Sequence, residues 1–112
     1  MDSDVIIVFI TTANREEAAR LADMLVGARL AACVQILPEI ESVYRWKGAV
    51  QREAEVLLLA KSTRDKFDEL ERQIRAIHSY ETPEILAVPV SAVSEPYRKW
   101  LVESTLMVKA KS

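Results

Sequence analysis

The sequence predicts an α+β fold of the ferredoxin-like, split β-α-β kind, with the element order β-α-β-β-α-β-α and helices on one face of an antiparallel sheet. Short β-branched, apolar runs alternate along the chain with segments whose apolar residues recur at helical spacing. A tight-turn pattern at Lys47-Gly48-Ala49 joins two of the strands directly into a central hairpin. The chain has 112 residues, the size of one ordinary domain, so we expect residues 1–112 to form a single domain.

The first third of the chain indicates a strand followed by a capped helix. The run Val5–Ile10 is β-branched and aromatic throughout, as expected for a central strand that is covered on both faces. Asn14 then provides an N-cap with the acid Glu17 three residues later, and an apolar series at helical spacing follows before Gly27. The members of that series are Ala18, Leu21, Ala22, Leu25 and Val26. We expect Arg29 to meet the terminal carbonyls of this helix.

The middle of the chain predicts a long hairpin. Residues 31–37 are apolar and extended, Pro38 marks a bulge or edge position, and alternation resumes over Val43–Lys47. The returning strand, Val50–Lys61, is apolar in its second half. At about 3.3 Å per residue, residues 31–47 span on the order of 50 Å, whereas a domain of this size has a radius of about 13 Å. The hairpin tip must therefore project, and its exposed strand edges favour pairing with a neighbouring subunit.

Beyond the hairpin, the sequence predicts a second helix, an edge strand and a third helix. Ser62-Thr63 announces the second helix, which ends near His78. Its inward residues are expected to be Phe67, Leu70, Ile74 and Ile77. The short strand Ile85–Val90 contains Pro89, which has no N–H donor and suits an edge. Ser94-Glu95-Pro96 opens the third helix. Its inward residues are expected to be Tyr97, Trp100 and Leu101.

The composition argues against several classes of function. The formal net charge of -2 lacks the basic excess of nucleic-acid-binding proteins, and two glycines are too few for a glycine-rich phosphate loop. Cys33 is the only cysteine, so an intrachain disulfide is excluded. No apolar run approaches the roughly 18 to 20 residues that a membrane-spanning helix needs. The acidic start of the chain does not resemble a signal peptide, so we expect no membrane association and a cytoplasmic location.

Four ordered motifs extend over nearly the whole chain. They are Arg29-Leu-Ala-Ala-Cys33, Ser42-Val-Tyr-Arg-Trp-Lys-Gly48, His78-Ser-Tyr-Glu-Thr-Pro-Glu-Ile85 and Tyr97-Arg-Lys-Trp-Leu101. In wording and spacing these motifs resemble the CutA family, which is linked to tolerance of divalent cations, chiefly copper. The resemblance implies a ferredoxin-like homotrimer in which the long hairpins pair across subunits. It also implies a binding protein and not an enzyme.

The resemblance further implies candidate metal ligands. Cys33 stands at the family's recurrent cysteine and His78 at its recurrent histidine. Some bacterial relatives carry another cysteine and a second histidine at the places that Ile10 and Ile77 hold here. Neither isoleucine can bind a metal, so we expect only weak binding of copper or another divalent cation, and no organic cofactor.

Glu81 and Glu84 extend this candidate metal site, because together with His78 they offer one imidazole and two carboxylates within seven residues. A simpler role stays open for each residue. A cysteine such as Cys33 behaves as a small buried apolar side chain, and His78 suits the C-terminal end of a helix. Loop acids are often simply solvated.

A second set of candidates comes from the hairpin. Tyr44 and Trp46 project from one face, and we expect Arg45 and Trp46 at the trimer interface, where such residues concentrate. Glu55 and Lys61 share a face of the returning strand with two leucines, so a buried or interfacial ion pair is their first explanation. Alternatively, a cleft between subunits holds a small anion or another ligand. Its lining would be Tyr44, Trp46, Glu55, Lys61 and Tyr80, beside His78.

The leading functional hypothesis is a homotrimeric divalent-cation tolerance protein that binds metal ions weakly. One alternative is a signalling or scaffold trimer similar to the PII proteins, with a small ligand bound between subunits near Lys61 and Arg45. A hydrolase similar to the acylphosphatases would use Arg15, but the loop before Arg15 lacks the glycine that would let backbone amides encircle a phosphate.

Overall fold

The computed structural model describes residues 4–106 and confirms the α+β class and the predicted order of strands and helices. Most of the acidic N-terminal stretch used to predict the location lies outside these residues. The elements are β1 (Val5–Thr12), α1 (Arg15–Gly27), β2 (Cys33–Trp46), β3 (Ala49–Thr63), α2 (Phe67–Ile77), β4 (Ile85–Pro89) and α3 (Glu95–Ser104). None of the helices formed by residues 4–106 combines the length and the apolar character that crossing a bilayer requires.

The four strands form one antiparallel sheet in the order β2-β3-β1-β4. β1 is central, as predicted, and every residue in it is buried or half-buried. Val5 pairs with Thr63 and Thr12 with Val56, so β1 reaches only part of the way along β3. β4 is an edge strand that ends at Pro89, which confirms the edge position predicted for that proline.

The core lies between one face of the sheet and the helices α1 and α2. Alternate residues of β1 and β3 point toward it, because successive side chains of a strand face opposite sides. Its buried members from the strands are Ile6, Val8, Ile10, Val56, Leu58 and Ala60, and those from the helices are Ala18, Leu21, Leu25, Leu70 and Ile74. α1 begins as predicted, because the Asn14 side chain accepts a hydrogen bond of 2.8 Å from the backbone N–H of Glu17.

The opposite face of the sheet is covered only at one end. There, Leu101 of α3 packs on Val5 and Ala32. The rest of this open face is apolar and only partly buried, and it includes Ile7, Phe9, Leu57, Leu59, Leu86 and Val88. A contiguous apolar sheet face in contact with water is costly, and such faces usually mark an interface.

β2 and β3 continue past the end of β1 as a two-stranded extension, residues 40–55, which we call the hairpin arm. A register shift between Leu37 and Ile40 confirms the bulge predicted at Pro38. The arm closes in a two-residue turn in which Lys47 has φ 50° and Gly48 has φ 80°, the left-handed pair that matches strand twist. The described chain measures 51 × 36 × 22 Å, so the predicted projection of the hairpin is confirmed.

Helix α2 starts later than its sequence suggests. Ser62 and Thr63 were expected to begin it, but both belong to the end of β3, where Ser62 donates a hydrogen bond to the Leu30 carbonyl. A single 3₁₀ turn over residues 64–66 then precedes Phe67. Ile77, expected to face inward, is exposed because the helix ends there, beyond the edge of the core.

The third helix also departs from expectation. Leu101 is buried, but Tyr97 and Trp100 remain 39% and 45% exposed, and their rings contact each other at 5.4 Å. α3 touches the sheet only at the Val5 end, so a single apolar position of the helix reaches the core. Arg29 meets the end of α1, as expected, but through its backbone N–H, which donates to the Val26 carbonyl at 3.1 Å. Its guanidinium instead donates to the carbonyl of Ser104 at the end of α3, 3.3 Å away.

Candidate functional site

A cleft of about 710 Å³ lies between the hairpin arm and the loop of residues 78–84, which joins α2 to β4. We call it the arm cleft. Its lining consists of Thr11, Ser42, Val43, Tyr44, Trp46, Gln51, Glu53, Glu55, Tyr80, Glu81, Thr82 and Glu84. The structure therefore brings together, in one chain, four of the five predicted cleft residues and two of the four predicted metal ligands.

The arm cleft is strongly acidic. It contains four carboxylates, those of Glu53, Glu55, Glu81 and Glu84, and none of the described lining residues is Lys, Arg or His. Partial burial, together with the neighbouring charge of Glu55, raises the pKa of Glu84 above its ordinary value. This concentration of negative charge repels anions and attracts cations. The expectation of a small anion or another ligand in a cleft between subunits stays a prediction.

Two tyrosines lie beside these carboxylates. The Tyr80 hydroxyl donates a 2.9 Å hydrogen bond to Glu55, and Tyr44 lies close enough to Glu53 and Glu55 to be influenced by their charges. The pKa of each tyrosine is raised, first by partial burial and then by the neighbouring carboxylates, so both phenols stay protonated at neutral pH. All four of these residues line the cleft, so its wall combines two aromatic rings with two carboxylates.

His78 anchors the loop from inside the chain. Its side chain is 0% exposed, Nε2 lies 2.8 Å from the Thr11 carbonyl oxygen, and Nδ1 accepts a 3.0 Å hydrogen bond from the Tyr80 N–H. A carbonyl can only accept, so the proton is on Nε2 and the imidazole is neutral. Nδ1 is 3.7 Å from a Glu17 oxygen, but because it carries no proton this contact is not an ion pair. Both ring nitrogens are therefore engaged within the protein.

Glu17 is a second anchor, and sequence reasoning assigned it only the role of a capping partner. It is 3% exposed, and its two carboxylate oxygens accept hydrogen bonds from the Ser79 N–H, at 2.7 Å, and the Ser79 hydroxyl, at 3.0 Å. Burial alone would raise the pKa of Glu17, but the two bonds from Ser79, with smaller favourable interactions beside them, outweigh it, and the net pKa is below its ordinary value. Glu17 thus ties the cleft loop to the start of α1.

The lowered pKa of Glu17 predicts an acid sensitivity. A carboxylate whose pKa is lower in the folded than in the unfolded chain contributes stability above its ordinary pKa, 4.5, and that contribution is lost as the pH falls through the folded value. Between about pH 5 and pH 3, the wild-type chain should therefore lose more stability than Glu17→Gln. Urea unfolding at a series of pH values measures this difference. Parallel stability curves for the two proteins would contradict the assigned role.

Cys33 and Lys61 lie outside the arm cleft. They pair with each other across β2 and β3. Lys61 lies four residues, or about 13 Å along β3, from Leu57, the residue that pairs with Thr11. Lys61 donates a hydrogen bond to Gln35 and does not pair with Glu55, because six residues along one strand separate their Cα atoms by about 20 Å. The expected ion pair is thus absent within the chain, although the two residues do share a face.

The predicted ligands do not converge on one point. Within residues 4–106, no three His, Cys, Asp or Glu side chains are placed to hold a metal ion together. Cys33 and His78 are separated, and the imidazole of His78 is committed to Thr11 and Tyr80. Of the four predicted ligands, only Glu81 and Glu84 line the arm cleft.

Comparison with known proteins gives consistent results. A family model described as CutA1 divalent ion tolerance protein matches residues 6–104. The chain is 43% identical over 100 residues to the chloroplastic protein CutA of Arabidopsis thaliana, covering 89% of this chain and 55% of that protein. It is 43% identical over 99 residues to the divalent-cation tolerance protein CutA of Thermus thermophilus, covering 88% and 96%. The crystal structure of CutA1 from Oryza sativa superposes with a TM-score of 0.90 at 40% identity, covering 96% and 98%.

These matches cover nearly all of the described chain, although the chain spans only about half the length of the Arabidopsis relative. The names that they carry describe tolerance of divalent cations and no enzymatic reaction. The agreement also extends from sequence to structure, since the superposition covers almost the full length of both this chain and the rice chain. The chain belongs to the CutA1 divalent ion tolerance protein family.

Proposed function

We propose that this protein is a homotrimer of ferredoxin-like subunits that binds divalent cations weakly in the arm cleft and so contributes to metal tolerance. The observation that carries the proposal is the set of four carboxylates in a cleft whose described lining has no cationic side chain. Negative charge gathered in a concave site raises the local concentration of cations. A cytoplasmic location stays a prediction.

The donor chemistry supports weak binding with little selectivity. Carboxylate and phenol oxygens suit hard or borderline divalent ions, whereas Cu(I) prefers thiolates. The only cysteine, Cys33, lies outside the cleft, and the cleft carboxylates do not form a ready-made ligand shell. An ion held there would keep most of its water and would be attracted mainly by charge. We therefore propose that copper is one of several ions that the cleft binds weakly, without a preference for it.

The trimer is supported by two surfaces that a single chain leaves exposed. One is the open face of the sheet, where the edge-strand residues Leu86 and Val88 are exposed. The other is the hairpin arm, with Val43, Tyr44 and Trp46 exposed. Burial of apolar surface stabilises an assembly by about 25 cal/mol per Å², so covering both surfaces favours association.

A cation titration tests the metal site. The double variant Glu81→Gln/Glu84→Gln should weaken binding of Mn²⁺ and Zn²⁺ about fivefold, because each exposed carboxylate contributes about 0.5 kcal/mol and 1.4 kcal/mol is a factor of ten. Calorimetric titration of the metal-stripped protein gives the dissociation constants. The matched control is Glu16→Gln/Asp23→Asn, which removes the same charge from the exposed side of α1 and should change little. Equal binding by both double variants would exclude the arm cleft as the metal site.

A second candidate function is a signalling or scaffold trimer that binds a small organic ligand. The aromatic side chains of Tyr44, Trp46 and Tyr80 in the cleft wall favour it, since ligand sites commonly combine aromatic walls with a few polar groups. The acidic lining argues against a nucleotide, whose phosphates would be repelled by the carboxylates. Such a ligand would have to be neutral or cationic.

A further inference from the structure

The two faces of the hairpin arm carry opposite charge. Side chains alternate along each strand, so the paired residues Ser42 and Glu53, and Tyr44 and Gln51, share the face that lines the arm cleft. The pairs Glu41–Ala54, Val43–Arg52 and Arg45–Val50 share the other face, which we call the outer arm face, although Val43 also borders the cleft. The cleft side of this two-stranded ribbon thus carries the acids Glu53 and Glu55, whereas on the outer side the cations Arg45 and Arg52 outnumber the single acid Glu41.

The outer arm face is exposed and has one cation without a counter-charge. Val43 and Val50 are 53% and 64% exposed, so this face has apolar surface to bury. Arg52 is already paired with Glu41 at 2.6 Å. Among the described residues Arg45 has no carboxylate partner, and its guanidinium makes one long hydrogen bond, 3.4 Å, to the Gly48 carbonyl of its own turn.

The arm cleft has the opposite charge imbalance, an excess of carboxylates. Four carboxylates face a space of about 710 Å³, and the described residues that line it include no cationic side chain. Arg45 cannot enter the cleft of its own chain, because its position in the strand register directs it to the opposite face of the arm. A second copy of the chain carries the same outer arm face and can supply it.

We propose that the outer arm face of one copy docks against the arm cleft of the next, and that Arg45 of that copy supplies the cation for the cleft carboxylates. The two patches differ, so the contact is heterologous, and heterologous contacts of this kind close into rings when the rotation permits. Three copies in a ring would satisfy every cleft and every outer arm face. The inference rests on the trimer of the proposed function and assigns the contact that closes it.

The same contact bears on metal affinity. One guanidinium opposite four carboxylates leaves three negative charges in each cleft, so a cation is still attracted but competes with Arg45. Removing the guanidinium should therefore loosen the trimer and strengthen metal binding in the trimers that remain. A role for Arg45 confined to its own turn would produce neither effect.

Charge reversal tests the proposal. Arg45→Glu and Glu81→Arg should each weaken the trimer, because each places like charges together across the contact. The protein concentration at which half of the trimer has dissociated should rise at least tenfold for each variant. The double variant Arg45→Glu/Glu81→Arg restores opposite charges at every contact and should recover most of the loss. Sedimentation velocity over a dilution series measures the midpoint, and circular dichroism checks that each variant is folded. The matched control, Arg20→Glu, reverses an exposed charge on α1 and should leave the midpoint unchanged.

The outcomes separate the two proposals. A wild-type chain that is monomeric at all concentrations would refute the trimer itself. A wild-type trimer that Arg45→Glu and the milder Arg45→Gln leave intact would overturn only the docking of Arg45. Two destabilised single variants with no recovery in the double variant would also overturn it, since the two residues would then act at separate places.

Discussion

Replacing Glu17 with Ala is expected to lower the free energy of unfolding by about 2–3 kcal/mol, because hydrogen bonds to a charged group contribute about 1.5–3 kcal/mol each and two are lost. Glu17 accepts both bonds from Ser79 and is itself buried. Ser79 is exposed and regains water as a partner, which keeps the loss below the sum of the two bonds. The released loop should also open more often than the rest of the chain, so amide exchange at Ser79 and Tyr80 should accelerate more than in the core strands.

Glu17→Gln is the control for this variant. Its amide oxygen still accepts one bond from Ser79, but it is uncharged, so about half of the loss should remain. Urea unfolding at neutral pH gives the free energies, and hydrogen exchange locates the change. If Glu17→Ala were as stable as the wild-type chain, Ser79 would not be an anchor of the cleft loop, and the positioning of Tyr80 would need another explanation.

The fold could be predicted well where local pattern and global packing agree. The β-branched run of β1, the N-cap at Asn14 and the bulge at Pro38 each depend on residues close in sequence. The turn at Lys47 and Gly48 is equally local, since the left-handed φ of 80° suits glycine. Helical periodicity predicted burial incorrectly where burial depends on which surface the helix packs against. It placed Tyr97 and Trp100 on the inward side of α3, but it could not show that α3 meets the sheet only at one end.

The site was harder to predict because its geometry depends on long-range contacts. Glu17 and Ser79 are 62 residues apart in sequence, and Thr11 and His78 are 67 apart, so no local spacing indicates either bond. Strand parity correctly placed Glu55 and Lys61 on one face but ignored the distance between them along β3. Motif position suggested His78 as a metal ligand, whereas the chain turns its imidazole inward to the end of β1.

The anchors explain why the cleft has a definite shape although a loop forms one wall. From α1, Glu17 holds Ser79, and from β1 the Thr11 carbonyl holds His78. Tyr80, fixed between them by its backbone bond to His78, then reaches across to Glu55 on β3. Three elements that belong to the core thereby fix the loop that carries Glu81 and Glu84. Preorganisation of this kind reduces the ordering cost that a ligand would otherwise meet.

Replacing His78 with Ala is expected to lower the free energy of unfolding by about 3 kcal/mol, because it leaves a cavity and removes two buried hydrogen bonds. If His78 is an anchor and not a ligand, the folded His78→Ala protein should still bind Mn²⁺ and Zn²⁺ within about twofold of the wild-type affinity. Thermal and urea unfolding measure the first effect, and calorimetric titration well below the unfolding temperature measures the second.

The companion variant His78→Gln distinguishes the two roles more sharply. Its side-chain amide still donates to the Thr11 carbonyl from nearly the position of Nε2, so it should recover about half of the lost stability. Gln is a poor substitute for imidazole as a ligand of borderline metal ions. If His78→Gln restores stability, and if the wild-type chain and both variants bind metal with the same affinity, then the role of His78 is structural. Alternatively, both variants could remain folded and bind metal at least tenfold more weakly. The imidazole would then have to leave the Thr11 carbonyl to reach the ion. The metal site would lie at the inner end of the cleft loop and not among its outer carboxylates.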